Sequence, residues 1–137
     1  MSREQNIGQC EHCAKQFHYY LFHNGFGDSA YAYCDRCSYT VILSAWSPIP
    51  NAVNIKFQGP ISKEVEPFLK ACPCGGAFRS PGSPRCPHCL RELSAVRATT
   101  YIEANAAGTA KGWRWDQRWD GIYGIVIENQ SLNDWWL

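Results

Sequence analysis

The chain has 137 residues, of which 45% are hydrophobic, 18% charged and 14% aromatic, and it carries a formal charge of +1. That length suits one ordinary domain or two small ones with a modest core. High aromatic content and low charge exclude intrinsic disorder, no apolar run reaches the ~20 residues of a membrane span, and no basic excess points to nucleic acid.

The N-terminal stretch Met-Ser-Arg-Glu-Gln-Asn has no apolar segment, so no secretory signal is expected and the expected location is the cytoplasm. Eight cysteines in such a chain point to metal rather than disulfides. They form four close pairs: Cys10/Cys13, Cys34/Cys37, Cys72/Cys74 and Cys86/Cys89.

Residues 1–47 start with the Cys10/Cys13 turn and continue into an aromatic strand over 16–23. A Gly-rich turn at 24–28, a strand over 30–33, the Cys34/Cys37 turn and a strand over 38–44 follow. Cysteine turn, strand, turn, strand, cysteine turn, strand resembles a zinc ribbon. In residues 48–71, Pro48 and Pro50 break the pattern and open a connector. There Val53, Ile55 and Phe57 alternate with polar residues as in a short half-buried strand. A helical turn or two is expected over 62–70, weakened by Pro67.

Residues 72–108 form a second zinc-knuckle module: Cys72/Cys74, a loop rich in Pro, Gly and Ser, then Cys86/Cys89. The pattern of residues 90–107 predicts a helix, with Ser94 as N-cap and Gly108 as stop. A cysteine turn running into a helix resembles a treble clef, from which the C-x-C pair departs. Residues 109–137 hold five of the six tryptophans, with a strand over 121–127 and a returning hairpin strand over 132–136. This Trp-rich β segment is expected to pack the modules together. The expected fold class is therefore small, α+β and metal-stabilised: an N-terminal ribbon, a treble-clef-like module with one helix, and a C-terminal Trp-rich β-hairpin.

Two thiolates two or three positions apart wrap a tight turn around one ion, and two such pairs complete tetrahedral four-sulfur coordination. Cys10, Cys13, Cys34, Cys37, Cys72, Cys74, Cys86 and Cys89 thus predict two structural Zn2+ sites. The same knuckles suit a four-thiolate iron of rubredoxin type. Sequential pairing is expected, the first two pairs on one ion and the last two on the other, because it closes shorter loops. A cross-brace joining the first pair to the third is the alternative.

Four sulfurs leave no position open for water or substrate, so the expected protein is not an enzyme. Cys86-Pro-His-Cys89 matches some disulfide-oxidoreductase sites, but no βαβ pattern surrounds it. No H-x-E precedes a P-C-x-x-C, as a zinc deaminase requires, and H-E-x-x-H is absent. His12 and His88 sit inside knuckles closed by cysteine. His18 and His23 fall on opposite faces of the 16–23 strand and are weak substitute ligands.

Eight thiolates and two divalent ions take the formal charge from +1 to −3. That favours a protein partner over phosphate contact. The expected role is a non-catalytic protein–protein interaction module, resembling in general plan the small tandem zinc-ribbon proteins of bacteria. A toxin-neutralising immunity protein or antitoxin is the concrete form. Trp113, Trp115 and Trp119, which alternate with charged residues, and Arg79, Arg85, Arg91 and Arg97 are the candidate partner surface. The alternative is nucleic-acid binding by those arginines with stacking on exposed tryptophan. No membrane partner is expected.

Overall fold

The computed structural model describes residues 6–10, 12–23, 27–46, 48–50, 53–79, 82–93 and 123–137. Two sheets carry the fold. In the first, β1 (Asn6–Gln9), β2 (Gln16–His23) and β6 (Tyr123–Ile127) run antiparallel in the order β1-β2-β6. The second contains β3 (Ser29–Cys34), β4 (Thr40–Ser44), β5 (Phe78–Arg79) and β7 (Ser131–Asn133), in the order β5-β3-β4-β7. Among the described residues its only parallel strand pair is β4–β7.

β2 is the aromatic run read from the sequence, and its neighbours are fitted to its rings. Phe17 lies opposite Gly8 on β1, and Phe22 lies opposite Gly124 on β6. A Cβ at Gly8 would come within 2.8 Å of the Phe17 ring, and one at Gly124 would overlap the Phe22 ring. Each glycine is a gap that an aromatic ring fills from the facing strand.

β3 is buried on both faces, and its alternation sends two kinds of side chain to two cores. Tyr31 and Tyr33 join Phe17, Tyr19, Phe22, Ile125, Val126 and Ile127 between the sheets. Ala30, Ala32 and Cys34 pack on the other side with Val41, Leu43, Ile61, Val65, Leu69 and Phe78. The small alanines leave room there for Trp135 and Trp136 to pack at the margin. Val53, Ile55 and Phe57 line the same core. Their period-two burial is as read from the sequence, but the segment is extended without a ladder of its own.

The sheets meet at β6. The Ile125 N–H donates to the Tyr33 hydroxyl at 3.2 Å, and the Thr40 hydroxyl donates to the Ile125 carbonyl at 2.9 Å. Two side chains thus satisfy backbone groups on the outer edge of β6, where a further strand would otherwise be required.

The helical turn expected over 62–70 is present as a single 3₁₀ turn at Glu66–Phe68, with Pro67 in its first turn, the only helical element among the described residues. Other expectations are corrected. The helix expected over 90–107 does not begin at Leu90: residues 90–93 are irregular, with Glu92 bridged to Arg85, and 94–107 lie outside the described residues. The C-terminal hairpin does not form, because β7 leaves β6 after the turn at Glu128–Asn129 and pairs with β4. The Gln130 carbonyl, bonded to the Thr40 N–H at 3.1 Å, starts that parallel ladder. Segments read as successive modules interleave: 1–47 and 109–137 share the first sheet, and 1–47, 72–108 and 109–137 all supply strands to the second. No helix among the described residues is long and apolar enough to cross a membrane.

Candidate metal centres

The turns between strands bring all eight cysteines into two clusters, each with four sulfurs within 4.8 Å of one another. The first holds Cys10, Cys13, Cys86 and Cys89, and the second holds Cys34, Cys37, Cys72 and Cys74. Pairing is therefore nested: the outer two pairs enclose the inner two. Neither the sequential scheme nor the cross-brace is realised. The strand register is the reason, since β3 pairs with β5 at Cys34↔Phe78 and so brings residues 72–77 onto the Cys34 turn.

The first centre has near two-fold symmetry. The Cys10 N–H donates to the Lys15 carbonyl and the Ala14 N–H to the Cys10 carbonyl, at 2.9 and 3.0 Å. The Cys86 N–H donates to Arg91 and the Leu90 N–H to Cys86, both at 2.9 Å. Ala14 and Leu90, just after each pair, both adopt φ near +60°. His12 and His88 act as reciprocal staples. The His12 Nε2 donates to the Glu92 carbonyl at 2.9 Å, and the His88 Nε2 donates to the Gln16 carbonyl at 3.0 Å. Because a carbonyl only accepts, both rings carry their proton on Nε2. Neither imidazole belongs to a cluster, and the same is true of His18.

The second centre is built differently. One wall is the Cys34–Cys37 turn, closed by the Cys34 N–H donating to the Tyr39 carbonyl at 3.1 Å. The other is Cys72-Pro-Cys74-Gly-Gly, closed by Cys72 N–H to Gly76 carbonyl at 2.9 Å and by Gly75 at φ +94°. Asp35 crosses between them, accepting the Ala77 N–H at 2.9 Å with its carboxylate. That hydrogen bond, aided by Arg79, holds the Asp35 carboxyl below its usual range.

Across the knuckles, sulfurs approach to 3.6 and 3.7 Å in the first centre and to 3.5 and 3.4 Å in the second. Sulfurs tetrahedrally bound at about 2.3 Å would lie about 3.8 Å apart, so the clusters fit an ion with little adjustment. All eight cysteines are free thiols. Backbone N–H groups point at the sulfurs, as His12 and His88 do at Cys10 and Cys86 and Gly76 does at Cys74, at 3.3 Å each. Without an ion the protons divide unevenly. Burial pushes Cys10 up to about 12 and Cys37 up to about 11, and raises Cys72 and Cys86 as well. The Lys15 N–H holds Cys13 down to about 7. At Cys74, burial is outweighed by the Gly76 N–H and the neighbouring sulfurs, which bring it to about 7.

All eight cysteines fall in residues 6–95, the stretch matched by the family model of a domain of unknown function, DUF8255. The chain belongs to the DUF8255 family. No curated protein and no solved structure matches the chain. The matched stretch includes β1 to β5 and both halves of each centre, so the cysteine framework lies within the DUF8255 unit.

The described arginines of the candidate partner surface divide between the two centres. Arg79 lies beside the second centre, 3.6 Å from Asp35 and 3.2 Å from Glu66. Arg85 lies at the first, donating to the Leu90 carbonyl at 2.9 Å and pairing with Glu92 at 3.4 Å. Arg91 is exposed, and its carbonyl closes the Cys86 turn. Arg97, Trp113, Trp115 and Trp119 lie outside the described residues. Trp135 donates through Nε1 to the Ala71 carbonyl at 2.9 Å and lies under the Lys70 ammonium, 4.9 Å from the ring centre. The histidine staples have a signal in the sequence. Only the first and fourth pairs share the pattern C-x-H-C, and these are the pairs that meet.

Proposed function

We propose that this DUF8255 chain is a non-catalytic protein–protein interaction module held together by two structural zinc ions. The observation that carries this reading is the closure of both cysteine clusters. Each presents four sulfurs within 4.8 Å and no carboxylate or imidazole among its ligand atoms. A four-thiolate ion has no vacant position at which to polarise water or substrate. The ions instead do structural work, each set into the margin of one hydrophobic core through buried Cys10 and Cys86 or Cys34 and Cys72. A metallated charge near −3 and the engagement of Arg79 and Arg85 by carboxylates favour a protein partner over phosphate. A toxin neutralised as by an immunity protein or antitoxin is one such partner, since inhibition of that kind needs only a rigid, shaped surface.

The test is metal analysis of the purified protein followed by affinity capture from its native host, with nucleases present and absent. Two zinc ions per chain and a protein captured regardless of nuclease are expected. Recovery of nucleic acid alone, or a red iron-containing protein, would replace this reading.

A further inference from the structure

The two centres differ in how exposed their cysteines are. In the first, Cys10 and Cys86 are 2% and 0% exposed, and Cys13 and Cys89 are half-buried. In the second, Cys34 and Cys72 are buried and Cys37 is half-buried, but Cys74 is exposed, alone among the eight. The C-x-C spacing leaves only Pro73 between the two ligands of this turn, and Gly75 and Gly76, which have no side chains, follow Cys74. Its nearest cross-knuckle neighbour is the buried Cys34, with Sγ atoms 3.5 Å apart.

Building on the zinc reading above, we propose that Cys74 is a modification site at which hydrogen peroxide oxidises the second centre and expels its ion, while the first centre keeps its own. The Cys74 thiolate attacks one peroxide oxygen; the S–O bond forms, the O–O bond breaks and hydroxide leaves, giving a sulfenic acid. The Cys34 thiolate then attacks that sulfur; the S–S bond forms, the S–O bond breaks and a second hydroxide leaves. Two sulfurs together lose two electrons, one peroxide is reduced, and solvent protons convert both hydroxides to water. Cys37 and Cys72 remain as the only ligands, two short of a closed site. Gly76 leaves the Cys34 sulfur uncovered on this side, since a Cβ there would lie 2.8 Å from it.

The experiment uses the full chain carrying both ions and hydrogen peroxide as the probe. Zinc release is followed with a chromogenic chelator, and disulfides are mapped by mass spectrometry after thiol alkylation. Release should level off at one ion per chain, with a Cys34–Cys74 disulfide and with Cys10, Cys13, Cys86 and Cys89 recovered as thiols. Cys74→His, which retains a fourth ligand atom, should keep its second ion at peroxide doses that empty the wild-type site. Loss of both ions together, a first disulfide in the other centre, no release, or unchanged release from Cys74→His would each overturn the proposal. A chain that purifies without two zinc ions fails before peroxide is added, and that result overturns the zinc reading itself.

Discussion

Gly76 stands where a side chain has no room. A Cβ there would lie 2.8 Å from both the Cys34 sulfur and the Asp35 carboxylate, and 3.0 Å from the Arg36 Cβ. Gly76→Ala should therefore push the Cys72–Cys74 turn off its partner. The expected result is a fall in bound metal from two ions towards one, read by metal analysis, with the first centre intact. Histidine truncation has a different signature. His12→Ala or His88→Ala removes one staple but no sulfur, so each should cost about 1 kcal/mol in a denaturant titration and leave metal content unchanged. Protonation sets a further expectation at this scale. With Cys10 raised to about 12 and Cys37 to about 11, those thiols still hold protons at neutral pH in the metal-free protein. The metal-bound form holds fewer protons, so metal affinity rises with pH, by about tenfold per unit for each proton released. Competition with a chelator at pH 6, 7 and 8 measures that slope; a flat profile would contradict it.

Strands were legible in the sequence where local chemistry alone decides them. The aromatic run predicts β2 at its observed bounds, and the hydrophobic alternation places β3, β4 and β6 within a few residues. The cysteine pairs were legible for the same reason, since a knuckle is a local turn. Partnership was not, because it depends on which ladders form at long range. Glu128 and Asn129 adopt φ of +50° and +57°, a turn that ordinarily makes a hairpin, yet it delivers the chain to the other sheet. Preferring sequential pairing on loop length gave weight to an entropy difference of only ~2 kcal/mol, small against several strand ladders. β1 was missed altogether: its Asn-Ile-Gly-Gln sequence has little strand character, and Gly8 is there for the Phe17 ring. Tyr33→Phe tests the joint between the sheets. It leaves the Ile125 N–H, buried among apolar residues, without its hydroxyl partner, and should cost 1–3 kcal/mol (order of magnitude) in thermal or denaturant unfolding.

At the scale of the whole molecule, each centre takes one cysteine pair from before the connector and one from after it. A cut anywhere between Ser44 and Cys72 leaves both clusters shared by the two pieces, along with the β2–β6, β3–β5 and β4–β7 ladders. Co-expressed fragments 1–50 and 51–137 should therefore co-purify as a complex that a strong chelator dissociates. Fragments that each retain one ion when separated would argue for clusters within halves rather than between them.

The nested arrangement also imposes an order in time. As the chain leaves the ribosome, Cys10, Cys13, Cys34 and Cys37 emerge well before any partner pair exists. The inner centre becomes completable once Cys74 is out, and the outer one only after Cys89. β2 must wait longer still for β6, which begins at Tyr123. Four thiols thus stay without their partners until Cys74 is made, two of them until Cys89, and the aromatic strand β2 waits longest. Assembly should close from the inside outward, with the inner centre setting the frame on which the first sheet finally forms.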